Sequence, residues 1–144
     1  MEIKLEIQSG ELVVKYLNNT SSVIRIWQSD NSWGWENLSF ILRIESSGTQ
    51  INITRTKTMG WTKNGPGYFE IHPGQEIITP VQLTGKSWEA DQALSIMNDE
   101  IVSVKALLNI LSTPEAKELD VWIGKAESDW LKVSPPHNWL FNAN

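Results

Sequence analysis

A two-residue rhythm of apolar side chains limits this chain's fold more than any other feature. Ile3, Leu5 and Ile7 fall on one side of an extended segment, with Lys4 and Glu6 on the other. "ELVVKYL" sets Leu12, Val14 and Tyr16 against Val13, Lys15 and Leu17, and Lys15 marks the wetter side. "VIRIW" turns Ile24 and Ile26 inward and Val23, Arg25 and Trp27 outward. "NLSFILRI" groups Leu38, Phe40, Leu42 and Ile44, and "TQINITRT" pairs Ile51 with Ile53. Successive strand side chains point to opposite faces, so these runs predict half-buried strands.

Punctuation between the runs supports the same reading. "NNTSS" (18 to 22) and "SSG" (46 to 48) are rich in turn-forming residues. "GYFEIHPGQEIITPVQL" predicts a hairpin, because Pro73-Gly74 suits the centre of a type II turn. Pro80 cannot donate to a ladder, which predicts an edge strand or a bulge there. "IVSVKALLNIL" predicts a central strand with Val102, Val104, Ala106, Leu108 and Ile110 on one face; a helix also satisfies its spacing. Ser87 before "WEADQAL", and Thr113-Pro114-Glu115, each predict a short helical turn. "LDVWIGKAESDWLKV" supplies the last strand or pair of strands, and Trp139, Leu140 and Phe141 are expected to dock the tail on the body. About eight or nine short strands then suggest one antiparallel β-sandwich over residues 1–134, followed by a tail, 135–144; a closed barrel is the alternative.

At "ELVVKYLNNTSSVIRIW", "YFEIHPGQEIITPVQL" and "VWIGKAESDWLKV" the chain resembles bacterial immunoglobulin-like sandwich domains, among them intracellular proteinase inhibitors and related proteins. The shared pattern is a strand, an Asn-rich turn and a strand, then a strand ending in Pro-Gly-Glu or similar. Gln75 takes the third position of that turn here, with Glu76 after it. The resemblance extends over most of the chain. It implies an all-β, antiparallel immunoglobulin-like sandwich and non-enzymatic binding. It transfers no binding residue.

Composition narrows the chemistry. No cysteine is present, which removes disulfides, a thiol nucleophile and thiolate-ligated metals, and leans toward a reducing compartment. The alternating N-terminus lacks the features of a signal peptide, and no apolar run is long enough to cross a membrane, so a cytoplasmic protein is expected, and the resemblance implies a bacterial one. A net charge of −5 disfavours nucleic acid and allows a basic protein partner. His72 and His137 lack the context of a catalytic triad or a zinc site. "NDE" (98 to 100) and Asp91 do not match a calcium loop, and the glycines of "GWTKNGPGYF" do not match a phosphate loop. Glu36, Glu70 and Glu76 are carboxylates whose separation in space decides whether they could serve glycoside chemistry. The Asn-x-Ser/Thr triplets at Asn18, Asn19, Asn37 and Asn52 read as chance. No cofactor, metal or enzymatic activity is expected.

The eight tryptophans are the remaining signal. Trp88 and Trp122 suit packing between strands, and Trp130 and Trp139 suit an edge seal. Trp27, Trp33, Trp35 and Trp61 instead lie in or beside polar, Gly-containing loops, where binding residues concentrate. Trp33 and Trp35 would point the same way if their segment is extended. Either these rings cover a sheet face, or they form an exposed binding patch with nearby cations such as Arg25, Arg43, Arg55, Lys57 and Lys63. The expected function is protein binding, as an inhibitor or an immunity-type antagonist of a toxin. The expected site is Trp27, Trp33, Trp35, Trp61, Arg25, Arg55 and Lys63. Carbohydrate stacking on the indoles and a structural role in a larger assembly are the alternatives.

Overall fold

The computed structural model describes residues 1–57, 65–83, 87–92 and 99–140. In chain order the strands are β1 (Glu2–Gln8), β2 (Glu11–Leu17), β3 (Ile24–Trp27), β4 (Leu38–Ile44), β5 (Gln50–Arg55), β6 (Tyr68–Ile71), β7 (Glu76–Val81), β8 (Trp88–Ala90) and β9 (Val102–Ile110). A short helix, α1 (Pro114–Glu118), precedes β10 (Gly124–Glu127) and β11 (Leu131–Val133). The protein is therefore mostly β, and its named strands pair antiparallel.

Three sheets share one core. β1, β2 and β7 form the first, in that order. β10, β9, β4, β5 and β8 form the second, with β11 also on β9. β3 and β6 form a two-stranded third. The expected inward faces meet in one hydrophobic cluster that includes Ile3, Leu12, Phe40, Leu42, Ile51, Ile53, Val104 and Leu108. At roughly 25 cal/mol per Å² of apolar surface removed from water, this shared burial is the main term opposing chain entropy. Ile7, whose parity is inward, is 37% exposed at the end of β1.

"VSVKALLNI" is a nine-residue strand, not a helix. Val102, Val104, Ala106, Leu108 and Ile110 are all buried on one side of it. β4 pairs along one edge of β9, and β10 and β11 pair along the other. The registers of β10 and β11 differ by one residue, so Ser128–Trp130 bulges between them. Ser128 fills the gap: its Oγ accepts from the Ala106 N–H (2.9 Å), and its own N–H donates to the Ala106 carbonyl (3.0 Å). α1 begins where expected, with the Thr113 hydroxyl accepting from the Ala116 N–H. Trp139 and Leu140 are buried in the core, and the Leu83 N–H donates to the Trp139 carbonyl (2.6 Å); Phe141 lies outside the described residues.

Two expectations are corrected. Pro73-Gly74 does turn the chain, with Gly74 at φ 77° and the Gln75 N–H on the His72 carbonyl (3.0 Å). Yet β6 and β7 do not form a hairpin: β6 pairs with β3, and β7 with β2. Buried Asn18 holds the turn between the sheets, its Nδ2 donating to the Ile71 and Ser22 carbonyls (2.7 Å each). Turn geometry is local, whereas strand pairing depends on which neighbour buries the apolar face. Pro80 does sit on an edge strand. Ser87 does not start a helix at Trp88, because Trp88–Ala90 pairs with β5. Burial of the Trp88 ring edge-on against Phe40 (5.3 Å) outweighs the local capping signal.

Candidate binding cavity

The segment from Gln28 to Asn37 is folded into turns and not extended, contrary to the expectation that would align Trp33 with Trp35. Buried Asn31 organises it. Its Oδ1 accepts from the N–H groups of Trp33 and Gly34 (3.0 Å each), and its Nδ2 donates to the Gly67 carbonyl (3.2 Å). Gly34 is required by space: a Cβ there would lie 2.0 Å from the Gln28 carbonyl oxygen. The turns send the two indoles to different places. Trp33 leans on Trp27, with ring centroids 6.1 Å apart. Trp35 turns toward β5, and its Nε1–H donates to the Thr56 carbonyl (2.7 Å).

Trp27 is 6% exposed, so it is not on the wet face expected from its parity with Arg25. The folded loop brings Trp33 down over it. Trp33 and Trp35 are half-buried. Trp61 and Lys63 lie outside the described residues.

Each of the three arginines lies over an aromatic ring, and their surroundings differ. Arg25 stacks on Tyr68 (4.6 Å), pairs with Glu70 (3.5 Å) and donates to the Leu119 carbonyl (2.8 Å). Arg43 stacks on Trp130 (4.3 Å) and pairs with Glu45 (3.2 Å). Arg55 is held between two indoles, 4.2 Å from the ring centres of both Trp35 and Trp88. Its Nε is buried without a hydrogen-bond partner. Among the described residues no carboxylate forms a salt bridge with it. Burial pulls its pKa below the ordinary value, opposed by the neighbouring Tyr16; a guanidinium remains charged at neutral pH even so.

Arg55 shares the parity of Ile51 and Ile53, so it projects from the inner face at the end of β5. There it lines a cavity of about 340 Å³ between the inner face of the large sheet and β2 and β7. Tyr16, Trp27, Trp35, Thr79 and Trp88 also line it. Burial pushes the Tyr16 phenol up to about 12, so it is protonated and neutral across the physiological range. Ser29, Asn37, Gln82 and Ser87 add neutral polar groups. The cavity is thus polar, cationic and walled by indoles. Its size is at the lower end of the range for small-ligand sites.

Of the expected site residues, the structure brings Trp27, Trp35 and Arg55 to this cavity and leaves Trp33 against Trp27 outside it. Arg25 is elsewhere, spent on Tyr68, Glu70 and Leu119. Tyr16 and Trp88, read from sequence as core residues, belong to the site. Arg55 carried a legible signal: a cation in phase with Ile51 and Ile53 has to enter the apolar side.

Among the described residues, no three His, Asp or Glu side chains converge as a metal site would require. No helix among them is long and apolar enough to cross a membrane. Comparison with protein-family profiles, with characterised proteins and with solved structures finds no match.

Proposed function

We propose that this chain is a non-enzymatic, protein-binding β-domain of immunoglobulin-like kind, acting in the bacterial cytoplasm as an inhibitor or immunity-type antagonist. Strand connectivity supports the fold assignment. If β1, β2 and β7 are equated with strands A, B and E, then β4, β9 and β10 take the places of C, F and G in the facing sheet. β5 and β8 extend that second sheet beyond β4. The cysteine-free composition suits a reducing compartment.

The observation that carries the binding role is the locked loop from Gln28 to Asn37. Asn31 and Gly34 fix the backbone that carries half-exposed Trp33 and Trp35, so little loop entropy remains to be lost on association. Phe69 and Leu111 are 42% and 65% exposed, each lining a depression that Trp27 also lines. Tryptophan and arginine are the residues most often found as interface anchors. Sugar stacking is less well served, because it needs an open ring face. Trp27 and Trp88 are 6% and 4% exposed, and Arg55 covers one face of Trp35.

The test is capture of a partner from the native host with the wild-type chain and with Trp33→Ala. The expected result is a partner retained by the wild type and lost by the variant, with the melting temperature within about 3 °C. Equal capture by both proteins, or a melting temperature lowered as far as in a core variant, would overturn this site. Binding of oligosaccharides with loss of indole fluorescence would replace it by the carbohydrate reading.

A further inference from the structure

A positive charge on the inner face of a sheet is costly unless something neutralises it. Arg25 and Arg43 meet that requirement within the chain, through Glu70 and Glu45. Arg55, the arginine facing the interior, has no such carboxylate partner among the described residues. Its two indole neighbours attract it through their ring faces, which stabilises the guanidinium without neutralising it. With two indole rings each 4.2 Å away, the nitrogen-bearing edge is the part of a stacked guanidinium that can take an anion. The neighbouring titratable group, Tyr16, is neutral and supplies no counter-charge. Asp30 lines an adjoining depression, not this cavity.

We infer that the cavity at Arg55 binds a carboxylate. The guanidinium accepts it edge-on as a planar, two-point pair, beside Trp35 and Trp88. Neutral hydrogen-bonding groups around the cavity, such as Ser87 and Asn37, suit the remaining lone pairs of one such group. Among the described residues Arg55 is the one cation lining the cavity, which matches the single charge of a carboxylate better than the near-double charge of a phosphate. The carboxylate comes either from a small organic acid or from an acidic side chain of a protein partner. The second source rests on the protein-binding role proposed above; the first does not.

The experiment uses the full chain labelled with ¹⁵N. The Arg55 Nε–H and tryptophan indole N–H resonances are followed by NMR during separate titrations with acetate, glutarate, a blocked Gly-Glu-Gly tripeptide and inorganic phosphate. Saturable shifts of the Arg55 and Trp35 signals with carboxylates are expected, weakened at least tenfold in Arg55→Met. Arg55→Lys, which keeps the charge but loses the fork, should weaken binding less than Arg55→Met. Tighter binding of the tripeptide than of glutarate identifies a protein side chain as the source, and the reverse order identifies a small acid. Shifts with phosphate alone, or no shift at Arg55 with any probe while Arg55→Met stays folded, would overturn the inference. Carboxylate binding without any captured protein would leave this site standing and remove the protein-binding role. Capture by wild type and Arg55→Met alike, with no carboxylate shift, would do the opposite.

Discussion

Arg43 and Arg55 sit on adjacent strands of the same sheet, and each lies about 4 Å from an indole ring. Arg43 shares the parity of Ile41 and faces outward. Arg55 shares the parity of Ile53 and faces inward. On the outer face, charge is balanced: Arg43 pairs with Glu45 (3.2 Å), Lys105 pairs with Glu127 (3.1 Å), and both cations flank Trp130. Ser103 donates a further hydrogen bond to Glu45. On the inner face, the Arg55 charge stands between two indoles, with no carboxylate beside it among the described residues. The same pair of residue types therefore serves two ends. Outside, a cation and a tryptophan close a self-sufficient surface network. Inside, they leave an electrostatic requirement that a ligand can meet.

The sharpest way to separate the two faces is to remove their tryptophans. Trp88→Ala empties space beside Phe40 and Arg55 at a position 4% exposed, so it should cost about 3–5 kcal/mol in urea denaturation. Trp130→Ala on the outer face should cost about 1 kcal/mol, because only half-buried surface and cation–π attraction are lost. Similar costs for both would end the distinction.

Alkali probes the interior through Tyr16. The Tyr16 pKa is raised in the folded state to about 12, so its contribution is complete below pH 10 and is lost as pH rises toward 12. At about 1.4 kcal/mol per pH unit, the loss is roughly 3 kcal/mol. Tyr16→Phe should flatten that part of the stability curve. An unchanged slope would mean that the phenol is more hydrated than its burial implies.

A smaller effect compares the arginines directly. Arg43→Met should cost about 1 kcal/mol, and less in molar salt, because it breaks a half-exposed pair and a cation–π contact. Arg55→Met should change stability by under about 1 kcal/mol, since removing a desolvated charge offsets the lost contacts with two rings. A loss above about 2 kcal/mol would show that Arg55 is chiefly a structural strut.

The smallest effect is expected in acid. The Glu45 carboxyl lies below its ordinary 4.5 because Ser103 and then Arg43 bond its charged form. Its contribution is present above pH 4.5 and fades as pH falls through the lowered value. Glu45→Gln should make acid unfolding slightly less steep, whereas Arg55→Met should leave that limb unchanged. Proton titration followed by circular dichroism reads both.

Much of this was legible in the order of residues. Strand parity located the buried faces of β2, β4, β5 and β9. Pro73-Gly74 marked a turn, Pro80 an edge, and Thr113 a helix start. Parity misled at Trp27, because a loop ten residues long folds back over it. Local capping misled at Ser87, where the burial of Trp88 decides the backbone state. The Pro-Gly turn suggested a hairpin because its own geometry is local, while the partners of β6 and β7 are not. For the site, the aromatic loop and Arg55 were visible, but Trp88 and Tyr16 looked like ordinary core.

Alternation, turn chemistry and capping follow from dihedral preferences over a few residues, so the chain order by itself specified extended segments and which side of each is apolar. Partner choice and charge balance depend on distances between residues far apart along the chain. Only the packed structure decides that Glu45 reaches Arg43 while, among the described residues, no carboxylate reaches Arg55. Coulomb attraction falls with separation in space and takes no account of separation in sequence.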